Sequence, residues 1–594
     1  MSNDNKFSQI PGMDGELAER LTRIGRDIQE AATLAAAGAR PPQIDSLAAA
    51  AAFKTLADAL SGDPKVLETA HKALNARQME TLRSLTAGEA FETTDEDKRF
   101  TASDWNENPF FDYVRRMYME TSKWALSLVD TAPGLSDMER KKARFFMRQA
   151  LAALSPSNSL SLNPRAMNAF VGSSGATLEA GIQRFKDEMT DANGRMSPKH
   201  TPDGAFVVGR DLALSPGQIV MRNQLIELIR FTPTTDRVHE RPLLIFPPWI
   251  NKYYVLDLQP GRSLVEWLVG QGFTVYVASW RNGDAEIAAF DWDDYVRLGA
   301  LAALDCVSEA HDAPVNGVGY CVGGTLLATL GAYLHHQKDE RLASVSLLAA
   351  QIDFADPGDL GLLVDVAAIA DMQQVIAENG GFMPGEAMID AFNLLRPEDL
   401  IWKYVEESYL LGKAPDAFDV LFWNSDQTNI PGRLHLQYLR RLYLENAFSA
   451  GHFEVLGTRV SAQDVQLPAF VHAAMSDHIS PLPSVYRGAR ALGGDVRFVI
   501  SGSGHIGGVV NPPATQKYEY WTGASPSEYA DAEDWVANAK SAPGSWWPVW
   551  SDWLKTRSGA LMPPPEPIAD APPAPGSYVL ETLEDVRGKW TVSN

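Results

Sequence analysis

One strand-to-helix turn constrains this chain more than any other stretch. Val315-Asn316-Gly317-Val318-Gly319-Tyr320 reads as a short buried strand and residues 325–336 as an apolar helix, with Cys321-Val322-Gly323-Gly324 between them. Gly-x-nucleophile-x-Gly is the pattern of a nucleophile elbow, here with sulfur in place of a hydroxyl. Side chains at Gly319 and Gly323 would collide with the neighbouring strand and helix in so sharp a turn. The turn lifts the sulfur off the sheet at a helix N-terminus, where free N–H groups and the dipole favour thiolate. Alone, the same residues also suit a glycine-rich turn with an idle buried thiol. The rest of the chain decides between the two.

Apolar strands recur around the turn at intervals that suit βαβ units: 243–246, 274–278, 315–320, 345–349, 469–473 and 496–500. Helical runs at 263–270, 292–311 and 325–336 lie between them. Such alternation predicts an α/β fold with a mostly parallel sheet covered on both faces. Shorter β-type runs at 205–208, 218–221 and 225–231, separated by Gly, Pro and Asn, predict antiparallel strands leading into it. About 120 residues separate Ala349 from Ala469, too many for a crossover. That excess predicts an inserted cap, about 350–465, that shields an acyl intermediate from water.

Reactive groups in open α/β sheets collect at the carboxyl ends of strands. Three stand there: Cys321 after 315–320, Asp477 after 469–473, and His505 after 496–500. The order nucleophile, acid, histidine is that of the α/β-hydrolase triad, and the gap from Asp477 to His505 holds one helix and one strand. In that reading His505 is the base and Asp477 orients it. The N–H of Val322 is one oxyanion donor. A second comes from the turn after 243–246; Pro247 and Pro248 have no N–H, so Trp249 and Ile250 are the first residues able to donate, and Ile250 is the choice. His478 and His472 are rival bases. His472 lies within a strand and reads as a core histidine, while the glycine-flanked His505 has the free loop a base needs. Cys306, in an amphipathic helix, reads as a buried structural thiol. His335 and His336 end a helix, where imidazolium suits the dipole. No metal-ligand spacing and no phosphate-cradling loop is present.

The net charge of −23 argues against nucleic acid as a partner, but a local basic patch still permits an anionic small substrate. Two cysteines in 594 residues fit a reducing cytoplasm with a free thiol. Residues 1–11 lack signal-peptide order, and no apolar run reaches a transmembrane length. Residues 1–100 read as a variable helical segment with a solvated stretch at 93–98, and 101–200 as a more aromatic helical domain. The catalytic domain is expected at 201–560, followed by a Pro-rich tail at 561–594 that wraps or links. Several of the fifteen tryptophans cluster late in the chain. Sulfur suits acyl transfer from a CoA-like donor, because thiol–thioester exchange is close to isoenergetic and leaves the acyl group activated for the next hydroxyl.

These residues carry a family resemblance. Gly319-Tyr320-Cys321-Val322-Gly323-Gly324-Thr325, Pro247-Pro248-Trp249-Ile250-Asn251-Lys252-Tyr253-Tyr254, Ser279-Trp280-Arg281-Asn282, Trp423-Asn424-Ser425-Asp426-Gln427-Thr428-Asn429, Asp477-His478-Ile479 and Gly504-His505-Ile506-Gly507-Gly508 occur together over about 105–580. As a set they resemble the class I poly(3-hydroxyalkanoate) synthases. The resemblance implies an α/β-hydrolase-like catalytic domain with a cap, preceded by a helical domain for dimerisation and granule association. It implies polymerisation of short (R)-3-hydroxyacyl-CoA, 3-hydroxybutyryl-CoA above all, with Cys321 acylated and His505 as base. Asp477 would also help activate the incoming 3-hydroxyl. No cofactor is expected beyond the CoA that the substrate carries and releases. The expected partners are (R)-3-hydroxyacyl-CoA, the growing polyester, a second copy as a homodimer, and the surface of cytoplasmic granules. One departure is Trp249, where the family often has cysteine. Two rivals remain at this point: a cysteine thioesterase or polyester hydrolase of the same fold, and a non-catalytic granule-surface protein.

Overall fold

A computed structural model of the chain describes residues 15–38, 43–89, 97–191 and 198–586. The expected leaderless terminus and most of the solvated stretch at 93–98 lie outside the described residues. The chain divides into two units. One holds the residues up to Asp203 together with Asp390–Ala417, and the other holds Gly204–Ile389 and Phe418 onward.

The first unit is helical. Pro64–Thr86, Pro109–Thr131 and Asp137–Ala153 each begin where the sequence supplies a cap: Asp63, Asn108, and Ser136 paired with Glu139 in a capping box. Leu56, Leu60, Leu128, Val129 and Ala143 form one small core. Asp112 is buried between Arg115 and Arg116, 2.6 Å from each guanidinium. Asp390–Ala417 belongs here by its bonds as well as by packing. Asn163 Nδ2 donates to Glu406 Oε1 at 3.0 Å, and the Tyr409 hydroxyl donates to Glu188 at 2.5 Å. The insert between the sheet strands is therefore shared: its middle is built into the helical unit.

The second unit contains a ten-stranded sheet. In chain order its strands are β1 Gly217–Arg222, β2 Ile226–Phe231, β3 Leu243–Phe246, β4 Val275–Trp280, β5 Val315–Tyr320, β6 Leu342–Leu348, β7 Ala469–Ala474, β8 Val496–Ser501, β9 Glu519–Thr522 and β10 Lys540–Pro543. Across the sheet they run β1-β2-β4-β3-β5-β6-β7-β8-β9-β10. From β4 to β8 all neighbours are parallel, while β1, β2, β9 and β10 pair antiparallel at the two ends. Every residue of β3, β4, β5 and β7 is buried, as expected of parallel strands covered on both faces. The 205–208 run is not a strand. Asp211 accepts from the Val207 N–H at 2.8 Å, and Gly209 turns through φ +85°, so the chain closes into a loop, bridged only from Val208 to Leu212, instead of joining the sheet. The Pro-rich tail wraps the β1 edge: Ile219 N donates to Pro572 O and Ala574 N to Gly217 O. Buried Glu227 holds the N–H groups of Ser577 and Tyr578.

Candidate active site

The nucleophile turn is built by lack of space. A methyl group at Gly319 would sit 2.3 Å from Gly324 Cα, and one at Gly323 would sit 2.1 Å from the Phe246 carbonyl oxygen. Helix Val322–Gln337 can thus start directly against β5 and the end of β3. Cys321 takes φ +55°, ψ −128°, a strained conformation for any residue with a side chain. It is held by Cys321 N donating to Leu348 O at 2.9 Å, and by its own carbonyl accepting from Gly324 N. Cys321 keeps partial exposure in this packed setting.

Asp477 and His505 meet as the chain order predicts. His505 Nδ1 donates to Asp477 Oδ2 at 2.7 Å, and Asp477 Oδ1 accepts from the N–H groups of Ile479 and Ser480. The Asp477 side chain has no exposed surface. Its oxygens face the imidazole and its own turn, which suits orientation of the base. Burial pulls the His505 pKa down, but the Asp477 charge, the Cys321 charge and hydrogen bonds to both override it and push it up to about 10. The imidazole also stacks on Tyr320, with ring centroids 5.4 Å apart. Tyr320, buried beside Cys321 and Asp477, stays protonated.

The rival groups fall elsewhere. His472 is fully buried in β7; burial, then the His505 charge, pushes its pKa down to about 3, and Nε2 meets Ser501 Oγ at 2.8 Å. It is the core histidine the sequence implied. His478, half-buried, is not the imidazole on the Asp477 carboxylate. Cys306 is half-buried rather than buried, and burial followed by Glu309 and Asp305 raises its pKa away from thiolate. His336 lies 3.3 Å from Asp464.

Val322 opens its helix, so its N–H has no acceptor within the helix. The turn with Ile250 abuts the elbow through the contact of Phe246 and Pro247 with Gly323. That turn is stapled from the second half of the insert. Thr428 Oγ1 lies 2.7 Å from the Trp249 carbonyl and 2.9 Å from that of Ile250. Trp423 Nε1 donates to Lys252 O, and Lys252 is buried 2.6 Å from Asp426. Trp249 is buried, packed against Trp280, Trp292 and Tyr295, so its indole props the turn from behind.

Two groups had no signal in the sequence. Tyr438 and Tyr443, five residues apart, meet edge to face with ring centroids 5.4 Å apart because the π-helical turn Leu439–Leu444 puts them on one face. Both pack on Phe354, just beyond the end of β6. Burial first, with the Cys321 charge adding to it, raises both phenols, so both remain hydroxyl donors. Among the described residues no His, Cys, Asp and Glu cluster could hold a metal, and no helix is long and apolar enough to cross a membrane.

Comparison with known proteins places the chain in a family. Residues 96–268 match the family model of the poly-beta-hydroxybutyrate polymerase (PhaC) N-terminus, and residues 241–512 match that of the alpha/beta hydrolase fold. A "Poly(3-hydroxyalkanoate) polymerase subunit PhaC" of Rhizobium meliloti is 44% identical over 81% of this chain and 79% of its own length. A poly(3-hydroxyalkanoate) polymerase of Methylorubrum extorquens is 42% identical over 81% of this chain and 80% of its own. The corresponding subunit of Cupriavidus necator is 37% identical over 81% and 83%. With the fold, the elbow and these relatives together, the chain belongs to the poly(3-hydroxyalkanoate) polymerase family.

Proposed function

We propose that this acyltransferase polymerises short-chain (R)-3-hydroxyacyl-CoA, 3-hydroxybutyryl-CoA above all, through a covalent thioester on Cys321. The observation that carries the reading is the imidazole of His505, bound to Asp477 at 2.7 Å and raised to about 10 with Cys321 among the causes. A cysteine nucleophile beside a histidine base attacks as the thiolate with its proton on the imidazole.

The cycle balances from that state. The thiolate attacks the acyl-CoA carbonyl, the oxyanion is met by the N–H groups of Val322 and Ile250, and CoA leaves with the proton of His505. The now neutral imidazole takes the proton of the next 3-hydroxyl as that oxygen attacks the acyl-cysteine. The Cys321 thiolate leaves and the ion pair is restored. No cofactor enters beyond the CoA the substrate brings. Family membership supports a homodimer working at the surface of cytoplasmic polyester granules.

The test is (R)-3-hydroxybutyryl-CoA with wild type and Cys321→Ala. Wild type is expected to release CoA and form insoluble polymer, with acyl mass on the Cys321 peptide in quenched samples. Cys321→Ala is expected to do none of these. Soluble 3-hydroxybutyrate as the main product would replace the reading with a thioesterase.

A further inference from the structure

The late tryptophan cluster takes no part in the proposed cycle. Trp546, Trp547 and Trp550 are nonetheless fully buried, and all three indole N–H groups have specific acceptors. We propose that Trp546 and Trp547 are positioning residues for His505: their N–H groups cap the one-turn helix that presents the base, and so set the imidazole against Cys321.

That helix, His505–Val509, is only five residues long. Its last carbonyls have no acceptor role inside it, and helices usually satisfy such groups with a left-handed glycine just past the end. Here Val510 has φ −89°, so the backbone does not turn that way. Two side chains supply the donors instead. Trp546 Nε1 donates to Gly508 O and Trp547 Nε1 to Val509 O, each at 2.8 Å.

The clamp has a rigid floor. A methyl group at Gly508 would lie 2.7 Å from both Ala474 Cβ and Ser501 Oγ, so the helix rests directly on the ends of β7 and β8. Trp546 stacks on His472 with centroids 4.2 Å apart, and His472 Nε2 lies 2.8 Å from that same Ser501 hydroxyl. Trp550 donates elsewhere, to Ser346 Oγ on β6 at 2.9 Å, and makes no bond to the helix of His505. His505 is thus fixed at three points: Asp477 at Nδ1, the Tyr320 hydroxyl on its carbonyl at 3.3 Å, and the two indoles at the far end of its helix. Loss of an indole N–H leaves a buried carbonyl unpaired, and the helix must shift to reach another donor. A displacement of about 1 Å at a catalytic group is enough to slow a reaction by on the order of 100-fold.

The inference rests on the Cys321–His505 pair proposed above, and the test separates the two. Trp546→Phe and Trp547→Phe keep an aromatic ring and remove the donor. The readouts are the pH midpoint of iodoacetamide alkylation at the Cys321 peptide, resolved from Cys306 by mass spectrometry, and kcat and KM for CoA release. Each variant is expected to raise the midpoint by about one pH unit and to lower kcat about tenfold at unchanged KM. Trp550→Phe is expected to keep the wild-type midpoint. In a His505→Gln background the same substitutions are expected to move nothing. Where phenylalanine does not fold, benzothienylalanine at the same position keeps the bicyclic shape and lacks only the N–H. Wild-type midpoints in folded Trp546→Phe and Trp547→Phe overturn the inference, as does an equal shift in Trp550→Phe. A wild-type midpoint equal to that of a free thiol overturns the ion pair itself.

Discussion

The two buried imidazoles of this unit set the scale for the first prediction, Asp477→Asn. His472 and His505 are both less than a tenth exposed, yet one is pushed down to about 3 and the other up to about 10. Burial acts the same way on both; Asp477 is the largest opposing influence on His505 and has no counterpart at His472. The net rise of His505 from 6.5 to about 10 is worth on the order of 4 kcal/mol, and removing the Asp477 charge makes the imidazolium harder to form by about that amount. That corresponds to a roughly 1000-fold loss in kcat, with further loss if the amide selects the wrong tautomer. The assay is loss of thioester absorbance with (R)-3-hydroxybutyryl-CoA, beside circular dichroism for folding. Stability carries the same signature. A histidine whose folded pKa is raised stabilises the fold fully below its unfolded pKa, and that contribution is lost as pH rises through about 10. The melting-temperature gap between wild type and Asp477→Asn should be widest at about pH 6 and closed by about pH 10. A folded Asp477→Asn with more than about a tenth of wild-type kcat refutes the reasoning.

Two further substitutions probe the oxyanion side. Thr428→Val removes the hydroxyl that meets the carbonyls of Trp249 and Ile250; kcat should fall about 10- to 100-fold with KM nearly constant, and unchanged kcat would show that this staple does not set the donor. Gly323→Ala puts a methyl group 2.1 Å from the Phe246 carbonyl oxygen, so the elbow and the end of β3 must part; the variant should lose on the order of 3 kcal/mol of stability in urea titration, and a folded, fully active protein would contradict the packing described.

How much of this was legible depends on range. Strands such as Val315–Tyr320 and Leu243–Phe246 were readable to the residue because fully buried parallel strands are apolar runs bounded by breakers. That Asp477 and His505 meet, at 2.7 Å, was readable because the sheet turns chain order into proximity at one edge. Residues 205–208 misled because a β-type composition was captured by the Asp211 side chain. The insert is legible in part: its helices are visible, but nothing local marks that Asp390–Ala417 groups with the helical unit through Glu406 and Tyr409. Tyr438 and Tyr443 were invisible because helical reading assumes a spacing of three or four, and a π-helical turn joins residues five apart. The indole clamp on His505 joins residues 38 apart and depends on where N–H vectors point, which no periodicity encodes.

The triad does not distinguish a polymerase from a hydrolase, since the same three groups would serve either once the acyl-cysteine exists. What separates them is whether water or a 3-hydroxyl reaches the thioester first. On the proposed cycle the difference therefore lies in what the insert brings to the sulfur. It brings Phe354, Tyr438 and Tyr443, packed on one another, with both phenols held protonated. Rings exclude bulk water, and hydroxyls that cannot ionise can only donate or accept hydrogen bonds, so they suit a neutral alcohol better than they suit hydroxide. Thiolate chemistry completes the argument. A thioester keeps the acyl group as activated as it was on CoA, so the enzyme loses nothing by waiting, provided the wait is dry.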